Sequence, residues 1–193
     1  MKIDKNNVIK VSKISLTLCA ITAISALVLA VVNQFTAPVI AKNIMEKKNA
    51  AMQMVVPEAV NFRSMKWDGD EGIVSEVYEA VGDDGNTVGY AVMAEPNGYG
   101  GEISMAVGID NDLTVIGVDI VSQSETAGLG SKCTTEEFKG QFEGKSFGVS
   151  VVKNGAKDNQ IDAISGATKT SKAVTLGVNS ALEAAYKIKG IIK

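Results

Sequence analysis

Two stretches of this chain bring hydroxyl, carboxylate and glycine residues close together in sequence, groups that can bind a ligand or accept a modification. The first is Asp162-Ala163-Ile164-Ser165-Gly166-Ala167-Thr168, a carboxylate followed after two spacers by four small residues. Thr168 offers a hydroxyl that phosphate can esterify, and the resulting diester keeps one negative charge. That charge would lie beside the start of an amphipathic helix read over 171–189, where free N–H groups and the macrodipole favour anions. Gly166 and Ala167 present little bulk, so a modifying enzyme can approach the backbone closely. Thr170 and Ser171 are rival hydroxyls. The plainer reading is a turn and helix cap, with Thr168, Thr170 and Ser171 serving the first N–H groups. The second stretch is Ser124-Glu125-Thr126-Ala127-Gly128-Leu129-Gly130-Ser131-Lys132. Its Gly128 and Gly130 let backbone N–H groups face a ligand, and Glu125, Thr126 and Lys132 offer polar side chains. A third segment, Gly98-Tyr99-Gly100-Gly101, supplies an aromatic ring that either packs near a ligand or stands in solvent.

Composition removes several other chemistries. The chain of 193 residues has no histidine, which excludes His-ligated haem, His zinc sites and Ser-His-Asp triads. Its two cysteines, Cys19 and Cys133, cannot supply the four thiolates of an iron–sulfur cluster. Cys19 lies in an apolar segment out of reach of Cys133, so no intrachain disulfide is expected. Cys133 reads as a passive thiol. The net charge is −3, with +3 in the first 13 residues and −6 in the rest. An acidic body argues against nucleic acid as a partner.

The elements that must position these residues begin with a charge-free run over 14–41, 28 residues long and most apolar over 16–32. About 20 residues cross the hydrocarbon as a helix, so one span is expected over 14–36, after a tail at 1–13. A cleavable signal peptide fits poorly, because the run stays apolar beyond Ala23-Ile24-Ser25. A lipoprotein signal fits poorly too, because Cys19 follows Leu16-Thr17-Leu18. Four lysines before the run against three soon after it favour a cytoplasmic N-terminus. A helical stalk is expected over 37–57, closed by Pro57.

A soluble domain is expected over 58–193. Strands read over 73–81 and 87–94 flank the turn Asp83-Asp84-Gly85-Asn86. Strands over 103–109 and 113–121 flank Asp110-Asn111-Asp112. A short helix around Phe138 opens at Thr134 or Thr135, and a further strand is read over 146–152. In the last helix Val174, Gly177, Val178, Ala181, Leu182, Ala185 and Ile188 share one face, with Gly190 ending it. The class is α+β: a transmembrane helix, then an antiparallel sheet with a packed C-terminal helix.

The Asp162–Thr168 residues resemble the D-x-x-[ST]-G-A-[ST] signature at which a flavin transferase attaches FMN to a hydroxyl through a phosphoester. Glu125-Thr126-Ala127-Gly128-Leu129-Gly130 resembles an E-T-x-G-L-G loop, with Ala127 where proline is frequent. With the single span and the Gly98–Gly101 segment, nearly the whole chain resembles the FMN-binding G subunit of the Rnf-type ion-translocating electron transport complex. The resemblance implies FMN on Thr168, with Asp162, Ser165, Gly166 and Ala167 forming the attachment motif and Asp162 orienting a metal or the hydroxyl during modification. It further implies that Glu125, Thr126, Gly128, Leu129, Gly130, Lys132 and Tyr99 line the flavin. The implied partners are the other subunits of a membrane complex, a flavin transferase and membrane lipid. The implied activity is electron relay within a ferredoxin:NAD+ oxidoreductase that moves Na+ or H+, with the soluble domain outside the cytoplasm. The C subunit of the Na+-translocating NADH:quinone reductase shares the motif and anchor but is typically longer. Another flavinylated extracytoplasmic electron carrier, serving a different reductase, is a further alternative. An anchored binding module without flavin is the alternative of a different class.

Overall fold

The computed structural model describes residues 5–67 and 72–190, with side chains from residue 13 onward. Four residues of the expected N-terminal tail lie outside the described part.

Helix α1 runs over Lys5–Val55 without interruption and carries Pro38 inside it. Span and stalk, read as separate pieces on either side of Pro38, are thus one helix. Its apolar side chains, from Ile14 and Leu16 through Leu29 to Phe35, are mostly more than half exposed. No polar face relieves them, which fits a membrane anchor. The hydroxyls within this stretch turn back on the helix. Thr17 donates to the Lys13 carbonyl at 2.9 Å, Thr22 to Leu18 at 3.1 Å and Thr36 to Val32 at 2.9 Å. Hydrocarbon offers no other partner, so this back-bonding is how such residues are accommodated there.

A compact unit begins at Glu46. Its centre is a five-stranded antiparallel meander: β1 (Asn61–Met65), β2 (Val74–Val81), β3 (Thr87–Ala94), β4 (Ser104–Asp110) and β5 (Val115–Ser122). Strand order in the sheet follows sequence order, as in a chain of hairpins. Alternation sorts the side chains onto two faces. Tyr90, Val92 and Ala94 of β3, with Met105, Val107 and Ile109 of β4, face helix α3 (Thr168–Ile188). Val174, Val178, Ala181, Leu182 and Ala185 of α3 are fully buried in that layer. Each Val or Leu there contributes about 1.5–3 kcal/mol by leaving water.

The opposite face carries Ala80, Ala91, Met93 and Ala106, covered by Ala51, Met52, Val55, Val56 and Ala59. The last residues read as a stalk, from Ala51 to Val56, therefore close a core. The fit is tight at Gly108, where an added Cβ would stand 2.0 Å from the Val55 carbonyl oxygen. At Gly117 the nearest such atom is Val55 Cα at 3.8 Å. Gly108→Ala is expected to destabilise the domain by about 2 kcal/mol through overpacking against backbone, and Gly117→Ala by far less. Thermal melts of the two variants side by side check this.

Between β5 and α3 the chain forms two 3-10 turns around α2 (Glu136–Lys139), then β6 (Ser150–Val152) and β7 (Gln160–Asp162). Buried Lys139 pins α2 to β5 through Asp119 at 2.7 Å. Strands β6 and β7 pair in parallel, outside the main sheet. Neither β1 nor β7 was expected from the sequence, and the strand read over 146–152 shrinks to its last three residues.

Candidate functional site

The turn after β7 delivers Thr168 to the first position of α3. Ala167 stands at the N-cap and makes no side-chain cap bond. The hydroxyls expected as caps do other work. Ser171 Oγ accepts from the Ile164 N–H at 2.9 Å and donates to the Ala167 carbonyl at 3.1 Å, which locks the turn onto the helix. Thr170 Oγ1 donates to Glu125 Oε2 at 2.6 Å. Thr170 is 1% exposed and Ser171 is fully buried, whereas Thr168 is exposed. Of the three hydroxyls, only that of Thr168 is open to reaction. Gly166 has φ +77°, a backbone conformation that glycine adopts without strain.

Glu125 ties three distant segments together. Its Oε1 accepts from the N–H groups of Tyr99 at 2.8 Å and Gly100 at 2.9 Å, while Oε2 takes the Thr170 hydroxyl. The glycines around it are spaces this carboxylate needs. A Cβ at Gly98 would meet Oε1 at 2.2 Å, and one at Gly130 would meet Oε2 at 2.4 Å. Burial pushes the Glu125 carboxyl up. The bonds from Thr170, Gly100 and Tyr99, with the Lys169 charge, outweigh it and hold the group below the usual carboxylate range. Both oxygens are engaged within the protein, so Glu125 ties the Tyr99 loop to α3 at the edge of the site.

Around Thr168 these segments enclose a cleft of about 590 Å³, lined by Tyr99, Glu125, Thr126, Leu129, Gly130, Gly166, Ala167, Thr168, Lys169 and Thr170. Tyr99 is 72% exposed and Leu129 45% exposed, so two large apolar surfaces stand open at its walls. Thr126 accepts the Leu129 and Ser131 N–H groups through its carbonyl, and the Gly128 N–H goes to Ser131 Oγ at 2.9 Å. Gly128 therefore builds the loop and does not line the cleft.

Three expected residues face elsewhere. Asp162, Ser165 and Lys132 line a second hollow of about 540 Å³ with Gln141 and Asn154. Asp162 Oδ1 accepts the Ala156 N–H at 2.8 Å, and its own N–H goes to Gln141 Oε1 at 2.7 Å. The carboxylate thus braces the loop that leads into β7. Cys133 is fully buried, and burial first, then the Glu125 charge, push its thiol up to about 11, in keeping with a passive core residue. Lys169, 5.6 Å from the centre of the Tyr99 ring, was not singled out in the sequence. No signal in the sequence marked it, because a helix read from 171 leaves Lys169 outside the first turn, where α3 as observed places it.

Residues 98–183 match the FMN-binding domain family, and residues 1–55 match the RnfG N-terminal region. The chain is 36% identical over 181 residues to the G subunit of the proton-translocating ferredoxin:NAD(+) oxidoreductase complex of Clostridium ljungdahlii, covering 93% of this chain and 92% of that one. It is 36% identical over 188 residues to the G subunit of the Na(+)-translocating ferredoxin:NAD(+) oxidoreductase complex of Acetobacterium woodii, covering 90% of each. Among solved structures, NqrC of Shewanella oneidensis superposes with a TM-score of 0.54 at 24% identity, over 69% of this chain and 70% of that one. The C subunit of the Na(+)-translocating NADH-quinone reductase of Parabacteroides distasonis gives 0.54 at 23%, over 76% and 93%. These two likenesses are of fold. Identity with the oxidoreductase subunits extends along almost the full length, from anchor helix to α3, and on that ground the chain belongs to the RnfG family, the G subunits of Rnf-type ion-translocating oxidoreductase complexes.

Proposed function

We propose that this chain is the electron-carrying RnfG component of a membrane-bound ferredoxin:NAD+ oxidoreductase of Rnf type, and that it carries FMN through a phosphoester on Thr168. The observation that carries the attachment site is the contrast among neighbouring hydroxyls, Thr168 exposed in the cleft and Thr170 and Ser171 buried and engaged.

The cleft fits the group. A flat aromatic ring system suits open apolar walls such as Tyr99 and Leu129. A phosphodiester suits the first turn of α3, whose N–H groups lack intrahelical partners. Bound there, FMN supplies reversible uptake and release of electrons. The chain's own share is to hold and orient the group: Thr168 tethers it, Glu125 keeps the Tyr99 loop and α3 in place, and the apolar walls keep water from the ring face. A covalent tether also prevents loss of the cofactor outside the cytoplasm, where we place the domain, with α1 anchored in lipid and its N-terminus cytoplasmic. Maturation requires a flavin transferase. Electrons enter from one neighbouring component of the complex and leave to another.

The test is the intact mass of the full chain made with and without a flavin transferase. An added FMN mass and yellow colour only with the transferase are expected. A colourless, unmodified chain in both cases would favour the anchored binding module without flavin.

A further inference from the structure

Lys169 sits where helix physics disfavours it. It is the second residue of α3, and the first turn holds no acidic residue to offset it. A cation there opposes the positive end of the macrodipole. Its local partners are the face of Tyr99 at 5.6 Å, an exposed cation–π contact, and the charge of Glu125 without a direct ion pair. Among the described residues that line the cleft, Lys169 is the one cation. The carboxylate of the cleft, Glu125, accepts two backbone N–H groups and the Thr170 hydroxyl, and the Lys169 charge acts on it through space. An anion arriving at Thr168 would meet the Glu125 charge and needs a counter-charge nearby.

We propose that Lys169 is a positioning residue for the esterified Thr168: its ammonium leaves the Tyr99 ring and pairs with the phosphodiester, which fixes the attached group in the cleft. The inference rests on the covalent reading of Thr168. It gives the cleft a charge-triggered shift of one side chain, Lys169 moving from the Tyr99 ring to the phosphodiester. The anion also removes the conflict with the helix end, because both the first-turn N–H groups and Lys169 then face negative charge.

The experiment labels surface amines of the full chain in detergent, with and without FMN on Thr168, and reads each site by peptide mass. Lys172, exposed on the next turn and absent from the cleft lining, is the internal reference. At low salt Lys169 is expected to label about fivefold more slowly once FMN is attached, the scale of an exposed ion pair, with Lys172 unchanged. Raising the salt to about 1 M should restore most of the rate, because screening at that strength reaches in to a few ångströms. Protection that salt does not relieve would mean simple shielding by bulk, and would overturn the pairing. Equal labelling in both forms would overturn it as well. Absence of any FMN mass would remove the covalent reading, and the Lys169 assignment with it. In the FMN-loaded parent chain, salt that breaks the Lys169–phosphodiester pair is expected to change flavin fluorescence. FMN-loaded Lys169→Gln, which has no such pair, should show no salt response, and an equal response in both would overturn the pairing.

Discussion

Thr168→Val, made alongside a flavin transferase, is expected to carry no FMN mass while melting within about 0.5 kcal/mol of the parent chain. Valine keeps the branched shape and removes only the hydroxyl. Thr168 is exposed at the first position of α3, and its Oγ1 has no hydrogen bond among those the structure shows, so the fold loses nothing with it. The informative companion is Thr170→Val. There the lost hydroxyl is buried and bonded to Glu125 at 2.6 Å, so stability should fall by about 1.5–3 kcal/mol, the scale of a hydrogen bond to a charged group. Its FMN mass should nonetheless remain. Loss of the adduct in Thr170→Val with retention in Thr168→Val would move the tether and defeat the assignment. The pair separates attachment from folding because the two hydroxyls sit two residues apart in opposite environments.

The largest stability effect is expected at Glu125. Glu125→Ala orphans the N–H groups of Tyr99 and Gly100 and the hydroxyl of Thr170 in one step. Each buried group left without a partner costs about 1–3 kcal/mol, and some will recover water at the cleft mouth, so about 3 kcal/mol overall is expected in denaturant melts. The same residue sets a pH response. Its folded carboxyl is held below the usual range, so its contribution is full above the unfolded value of about 4.3. The contribution is lost as pH falls through the lower folded value. The parent chain should lose stability in that acid window more steeply than Glu125→Gln. Parallel pH profiles for the two would contradict the role assigned to Glu125.

Local signals made much of this fold readable. The Asp83–Asn86 turn, with alternating β-branched residues on both sides, marks the hairpin, and the strand read over 87–94 coincides with β3. The α3 stripe gave a helix for the same reason, since Val174, Val178, Ala181 and Leu182 repeat at the helical period. What escaped has physical causes. Strand β1, Asn61–Met65, is an edge strand with mostly exposed side chains and no alternation, so its pairing with β2 decides it. Strands β6 and β7 are three residues each and exist through their parallel partnership. Capping preference placed the start of α3 at Ser171. The helix begins at Thr168 because Ser171 and Thr170 turn inward to hold Ile164 and Glu125.

The site was legible as a set of segments but not in its division of labour. Tyr99, Glu125, Thr126, Leu129, Gly130, Gly166, Ala167 and Thr168 converge on one cleft, as the motifs implied. That Glu125 ties the Tyr99 loop to α3 depends on Thr170, 45 positions away. That Asp162 is a brace depends on Ala156 and Gln141. Pairings of this kind are set by the path of the chain, which residue types alone do not reveal.

The covering of the sheet by residues 51–59 has a practical consequence for anyone who wishes to study the domain as a water-soluble piece. Cutting at residue 58, where the sequence suggests a boundary, would strip Ala51, Met52, Val55 and Val56 from the sheet and expose Ala80, Ala91, Met93 and Ala106 to water. A bare apolar sheet face of that kind invites aggregation. A fragment that starts at about residue 46 discards the apolar run yet keeps the last turns of α1 as a lid over that face.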